Sequence, residues 1–426
     1  MPTLTSMAVR NLLRARRRSL LSGGTMALGT AALVLGNGLA DGIARQLTAN
    51  LVAVQTGHLQ VVARPGDFEP QNSPFDAYSP LRLPGAQALA RRLEALPGVV
   101  RTAALLYGRG TAMAGGRSSM ASIIGIEPER EPELRAAHHL QAGTFLSATG
   151  RAGGEPEVFL ASPLAQKLRV GVGDAVSFVV QTPEGAVNSL DGVVVGVFQK
   201  GAPWYDHALY LSLGPAQDLF AWPGDATSIK ITIEGGGQAA ARQARPSIQA
   251  LVRQTPLPGL DPDQRVLVET FPEAGRFAFS IMEANRGALL VLSSFLLAAA
   301  AVGIVNSMLM SVHERTREIG TIRALGMRRS AVVRLFVLEG LVLGTAAAGL
   351  GILAGGAAVL HYAAYGIPMN NTSLTWMAGG DRLFTVLTGA SLARTAATIV
   401  ALSILAAVYP AWVASRLEPR EALHHV

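Results

Sequence analysis

The sequence predicts an α-helical membrane protein with four transmembrane helices. A large α+β extracytoplasmic domain is expected between the first and second spans. Three observations carry that expectation. Long uncharged runs such as Ser19–Ala40 and Gly287–Val312 can cross a hydrocarbon core at about 1.5 Å per residue. Between them, Asp41–Arg286 has the mixed composition of a soluble domain. The charge is also lopsided: residues 1–19, 313–339 and 416–426 hold 13 Arg against 5 Glu, while everything else holds 23 basic against 24 acidic residues. The net +7 therefore lies on one side, as the positive-inside rule requires, and no nucleic-acid partner is needed to explain it. Cysteine is absent, which excludes a disulfide framework, a thiolate nucleophile and a thiolate metal site.

Taken in order, residues 1–18 set Arg10, Arg14, Arg16, Arg17 and Arg18 among Leu4, Met7, Leu12 and Leu13, the pattern of an amphipathic helix on the inner membrane face. The first span is 19–40. Its end, Gly38-Leu39-Ala40, has the small residues of a signal cleavage site. The run is long for a signal peptide and three more spans follow, so it is read as uncleaved. The outer domain, 41–286, alternates strands with helices: strands at His58–Ala63, Val99–Leu106, Met120–Ile126, Ser228–Ile233 and Arg265–Glu269, and helices at Gly85–Leu96 and Gln238–Arg253, the latter challenged by Pro246. Gln71–Pro84 reads as a loop. These pieces suggest two βαβ-like halves separated by a β-rich insertion over about 130–227. Within it, Glu157–Ala161, Ala175–Gln181, Gly192–Phe198 and Ala208–Leu213 are strand candidates.

The second span, 287–312, leads into a cytoplasmic segment, 313–334, and the third span follows at 335–361. There Gly340 with Gly344 and Gly351 with Gly355 have the spacing that lets membrane helices approach closely. Residues 362–393, with Asn370 and Asn371, return as an outer loop. The fourth span is 394–415 and the tail 416–426, which puts both termini in the cytoplasm. Glu339, five residues after Arg334, reads as an interfacial ion-pair partner.

His313–Gly326, HERTREIGTIRALG, is a short polar helix between two spans. Ile319, Ile322 and Leu325 recur at helical spacing, and Gly326 supplies the stop. On spacing alone the helix suits either a groove on a cytoplasmic partner or the lipid surface.

Catalytic chemistry is not legible. Of the three lysines, Lys167, Lys200 and Lys230, none follows a glycine, so there is no P-loop for ATP. There is no HExxH and no GxSxG. His138-His139 and His424-His425 read as solvated surface, and the pairs Glu155/Glu157 and Asp261/Asp263 as solvent-facing carboxylates. No catalytic, cofactor or metal set is assigned. No span carries the buried charges of an ion pathway, which weighs against a channel or secondary transporter.

ERTREIG followed by RALG resembles the coupling helix of ABC-transporter permeases of the FtsX/MacB/LolC type. The N-terminal RNLLRARRRSLL, the Asp206–Leu213 neighbourhood and the C-terminal YPAWVASRLEPREAL resemble that family too, in family order. The resemblance implies a porter-like α+β outer domain with a β-rich insertion. It implies a non-catalytic permease in a bacterial inner membrane, with ATP and Mg on two separate ATPase copies and a second permease chain, identical or homologous. It implies ATPase coupling through Glu314, Arg315, Arg317, Glu318 and Arg323 as polar contacts. Ile319, Ile322 and Leu325 would be apolar anchors, and Gly320 and Gly326 would shape the loop. Val195–Leu213 leans towards the lipoprotein-releasing LolC/LolE branch and ERTREIG towards MacB. Extraction of lipoprotein is thus expected first. MacB-like export with an outer-membrane partner is the alternative, then FtsX-like control of an external hydrolase. Gln181–Leu190, where a hook for a periplasmic carrier would stand, is short. A membrane-anchored sensor accounts for the first span and the outer domain but leaves three spans and the polar helix without a purpose.

Overall fold

The computed structural model describes residues 4–14, 16–68, 81–147, 154–182, 185–199, 206–369 and 382–417. Asn370, Asn371, Lys200, His424, His425 and most of the Gln71–Pro84 loop and of the tail lie outside the described residues. The chain divides into two compact units: Met1–Ala44 with Met282–Ile367 and Leu383–Val426, and Arg45–Ile281 with Pro368–Arg382.

The first unit is helical. Among the described residues, four helices are long and apolar enough to cross a membrane: Ser19–Thr56, Arg276–Glu314, Arg329–Tyr365 and Gly389–Arg416. The first two exceed the expected spans. The apolar run stops at Ala40, yet the α-helix continues to Asn50. The second helix starts at Arg276, ahead of the expected Gly287. A charged residue such as Asp41 or Arg45 ends a hydrophobic run but not a helix, and no proline intervenes. Composition thus marked where apolarity changes, not where the helices end.

Within this unit the third helix carries two glycine pairs that face different neighbours. A Cβ on Gly340 would lie 2.6 Å from Ala407 Cβ, and one on Gly344 would collide with the Ser403 side chain, both on the fourth helix. A Cβ on Gly351 would strike Thr30, and one on Gly355 would come 2.7 Å from the Ala31 carbonyl oxygen, both on the first. Helix backbones can approach this closely only because these Cβ atoms are missing. Met26, Ile304, Ala347, Ile399 and Ala407 form the buried core between the helices.

The second unit is built on a ten-stranded sheet. Its strands are β1 (Leu59–Pro65), β2 (Val99–Ala114), β3 (Arg117–Ile126), β4 (Leu140–Gly143), β5 (Glu157–Ala161), β6 (Ala175–Gln181), β7 (Val187–Phe198), β8 (Ala208–Ser212), β9 (Ser228–Ile233) and β10 (Gln264–Thr270). Their order is β10-β1-β9-β2-β3-β8-β5-β7-β4, with β6 beside β2 and β7. The expected two halves and insertion are joined by one strand, because β2 runs well past Leu106. Its first part pairs with β9, and its second with β3 and β6. Gly108 and Gly110, which lie in β2 beyond the expected end at Leu106, are sites of close packing. Phe220 lies over Gly108, and a Cβ on Gly110 would come 2.7 Å from the Val179 carbonyl oxygen.

Several short elements are not legible in the sequence, among them helices Pro132–Ala137, Ser162–Leu168 and Leu213–Phe220, and β4. Two of those helices end on left-handed residues that are not glycine, Arg169 (φ 55°) and Ala221 (φ 57°), so the usual glycine stop signal is missing. Helix Gly237–Gln254 runs through Pro246. At the place where a carrier hook would stand, β6 and β7 pair down to Gln181 opposite Val187, and residues 183–184 lie outside the described residues.

His138 corrects the expectation of a solvated surface. Its ring stacks on Phe198 at 4.5 Å and meets Tyr210 edge-on at 5.1 Å, and its Nε2 is 2.9 Å from the Tyr210 hydroxyl. The ring is half-buried, with aromatic side chains packed against it.

Candidate functional site

The polar segment after the second span folds as a compact corner. Helix Arg276–Glu314 stops at Arg315, whose φ and ψ of −112° and 16° leave the helical region. A separate helix, Thr316–Ala324, follows. Its C-terminus has the two bonds of a Schellman motif: Met327 N–H donates to the Ile322 carbonyl (3.2 Å) and Gly326 N–H to that of Arg323 (3.0 Å). Gly326 sits at φ 98°, a conformation only glycine adopts cheaply. The third long helix starts directly afterwards at Arg329.

The corner is pinned from beneath by apolar and polar contacts. Ile319, 7% exposed, packs with Val312, Val332, Phe336, Ala411 and Ala414. Gly320 is buried too. On the polar side, Arg315 Nε reaches Glu318 Oε2 at 3.1 Å and Arg315 Nη1 reaches Glu339 Oε1 at 3.3 Å. Glu339 is only 4% exposed and also accepts from Asn11 Nδ2 at 2.5 Å. The N-terminal helix Leu4–Arg14, the corner and the third long helix thus meet at one carboxylate. Arg323 Nη1 donates to the Leu417 carbonyl beyond the fourth helix.

The family-matched residues therefore separate by position. Ile319, Gly320 and Arg315 face inward and hold the helix in place. Ile322 and Arg323 are half-buried. Glu314, Arg317, Glu318 and Gly326 are exposed, and Leu325 is exposed to 84%. The helical spacing that put Ile319, Ile322 and Leu325 on one apolar face does not survive the turn at Leu325, so only Leu325 remains fully presented. For Glu339 the described partners are Arg315 and Asn11, where spacing had pointed to Arg334. Asn11 could not have been found from spacing, because 328 residues separate it from Glu339. Among the described residues, no group of three or more His, Asp or Glu could hold a metal ion.

Two family profiles match the chain: the MacB-like periplasmic core domain over residues 19–251 and the FtsX-like permease C-terminal over 290–419. Among curated proteins, the chain is similar to the lipoprotein-releasing system transmembrane protein LolE of Haemophilus influenzae, at 22% identity over 93% of this chain and 92% of that protein. It is also similar to LolC of Neisseria meningitidis serogroup B, at 25% identity over 64% of this chain and 66% of that protein, just under two thirds of its length. The macrolide export ATP-binding/permease protein MacB of Rhodopirellula baltica is 37% identical over 142 residues, 32% of this chain and 18% of that longer protein. Among solved structures, the periplasmic region of MacB from Actinobacillus actinomycetemcomitans superposes with a TM-score of 0.35 at 16% identity, over 50% of this chain and 88% of that one.

Proposed function

The chain belongs to the FtsX/MacB/LolC family of ABC-transporter permeases, and from that premise we propose that it converts ATP hydrolysis on separate ATPase chains into movement of its outer domain. The observation that carries this reading is the corner at 315–326. Its inner face is fixed by Ile319 and by the Arg315–Glu339 pair, while Glu314, Arg317, Glu318 and Leu325 are presented outward. A helix held rigidly from below and open above passes on a push; a loosely tethered one would absorb it.

In this scheme two ATPase copies close on ATP and press on the corners of two permease chains. The four long helices carry the displacement across the inner membrane. The termini and corner lie in the cytoplasm and the sheet domain in the periplasm. ATP and Mg are bound by the partners, and this chain supplies no catalytic group. The substrate we assign is a lipoprotein or another envelope lipid-anchored molecule, because the LolE relative matches along nearly its whole length. Export of a macrolide-like or peptide substrate is the second reading, favoured by the higher identity of the MacB relative over its shorter match.

The test is co-purification of the chain with an ATPase, followed by Arg317→Glu and Glu318→Arg. Loss of ATPase binding and of its stimulation is expected. Unchanged binding and stimulation by both variants overturn the reading. Release of a fluorescent lipoprotein from proteoliposomes, compared with transport of a macrolide, separates the two substrate classes.

A further inference from the structure

The first long helix ends inside the sheet unit in an unusual way. After Asn50 it widens into a π-helical turn, Leu51–Thr56, which Gly57 stops at φ 62°. A Cβ on Gly57 would lie 2.8 Å from the Ile231 carbonyl oxygen, so the chain turns directly against β9. The last carbonyls of a helix need partners from elsewhere. The Leu51 carbonyl accepts from the Thr56 hydroxyl (3.3 Å) and that of Val52 from Gly57 N–H (3.1 Å). The Ala53 carbonyl accepts from Lys230 Nζ at 2.8 Å. That lysine comes from β9, the strand between β1 and β2.

Lys230 is also paired with Glu131, Nζ to Oε2 at 2.6 Å, with side chains 6% and 2% exposed. Among the described residues, Glu131 Oε1 has no hydrogen-bond partner. A small cleft lined by His58, Arg101, Glu133 and Thr232 adjoins the pair. Burial opposes the charged form of both partners, pushing the lysine down and the carboxyl up. Replacing a buried pair by apolar side chains of similar volume often leaves stability unchanged or higher, so stability alone gives no reason for an ion pair here. An apolar pair would, however, leave the Ala53 carbonyl without a donor. Beside it, Val54 belongs to the buried core that holds Leu105, Phe159 and Tyr210, and the turn packs on helix Pro132–Ala137 and on β9. π-Turns are rare and occur frequently at functional sites.

We propose that Lys230, held by Glu131, caps the first long helix from the sheet and makes the Leu51–Thr56 turn the joint through which that helix moves β9. The cap is a property of the sheet unit by itself; the movement rests on the permease reading. In the full-length protein with its ATPase, the variant Lys230→Met/Glu131→Leu removes the cap while keeping an apolar pair. Hydrogen exchange at Thr56 and Gly57 should quicken at least tenfold with the melting temperature unchanged. ATP hydrolysis should persist while substrate release falls several-fold. Unchanged exchange overturns the cap, and quickened exchange with wild-type release overturns the joint. In the wild-type complex, a measurement that needs no variant, the same amides should exchange faster during ATP turnover than at rest, and equal rates also overturn the joint. A wild-type chain that binds no ATPase refutes the permease reading instead, and the exchange comparison then decides the cap alone.

Discussion

Arg315 and Glu339, 24 residues apart, meet at 3.3 Å beneath the corner helix, and the carboxylate they share with Asn11 is almost wholly buried. The consequence is asymmetric. Arg315→Met takes one cationic partner from a buried carboxylate and should cost about 1–3 kcal/mol, read as a lower melting temperature in detergent. Arg315→Met/Glu339→Leu removes charge and partner together and should regain most of that loss. If the single and double variants melt alike, the pair does not pin the helix.

Ile319 and Leu325 look equivalent in sequence but should behave oppositely. Ile319→Ala empties a site in the core with Phe336 and Ala414, and should cost about 2–4 kcal/mol. Leu325 is 84% exposed, so Leu325→Ala should leave stability within about 0.5 kcal/mol while weakening capture of the ATPase. Thermal unfolding and pull-down on the same two variants check both halves. An Ile319→Ala protein as stable as wild type would mean the corner is not anchored there.

The glycines of the third long helix offer a steric comparison. Gly340→Val would drive a side chain into Ala407, and Gly355→Val into the Ala31 backbone. Each should cost about 1–3 kcal/mol through helix displacement. Among the described residues, nothing lies within 4 Å of a Cβ on Gly349, so Gly349→Ala should be neutral or slightly stabilising, since alanine favours the helix over glycine. Melting temperatures of the three variants decide it; equal effects at Gly340 and Gly349 would contradict the packing.

Signals that are local in the chain were legible and long-range ones were not. The strands Glu157–Ala161, Ala175–Gln181 and Ser228–Ile233 coincide with the expected segments, because alternation and turn residues bound them. The extension of β2 through Gly108 and Gly110 was hidden: those glycines serve side chains and backbone far away in sequence, Phe220 among them. At the corner, helical spacing predicts a short helix stopped by Gly326, and Thr316–Ala324 with Gly326 at φ 98° has that form. Which residues face inward depended on Glu339 and Asn11, and no periodicity links them to Arg315. Lys230, met in the sequence only as a lysine that could not serve a P-loop, turned out to cap a helix 177 residues away.

The aromatic enclosure of His138 makes the sheet unit sensitive to acid. Burial, with Lys230 and His139 adding to it, lowers the His138 pKa from 6.5 to about 4. Because the folded value lies below the unfolded one, the unfolded chain binds more protons between those two pH values. Stability is therefore full above about pH 6.5 and declines as pH falls towards 4, by up to about 3 kcal/mol. His58, lowered by burial against an opposing pull from Glu133, acts with the same sign. Thermal unfolding at pH 7.5 and pH 5 should show a clear drop for the wild-type protein. His138→Phe keeps a ring against Phe198 but cannot titrate, so its drop should be smaller, even though it loses the Tyr210 hydrogen bond and starts less stable. A variant whose melting temperature falls with acid as steeply as that of the wild type would place the sensitivity elsewhere.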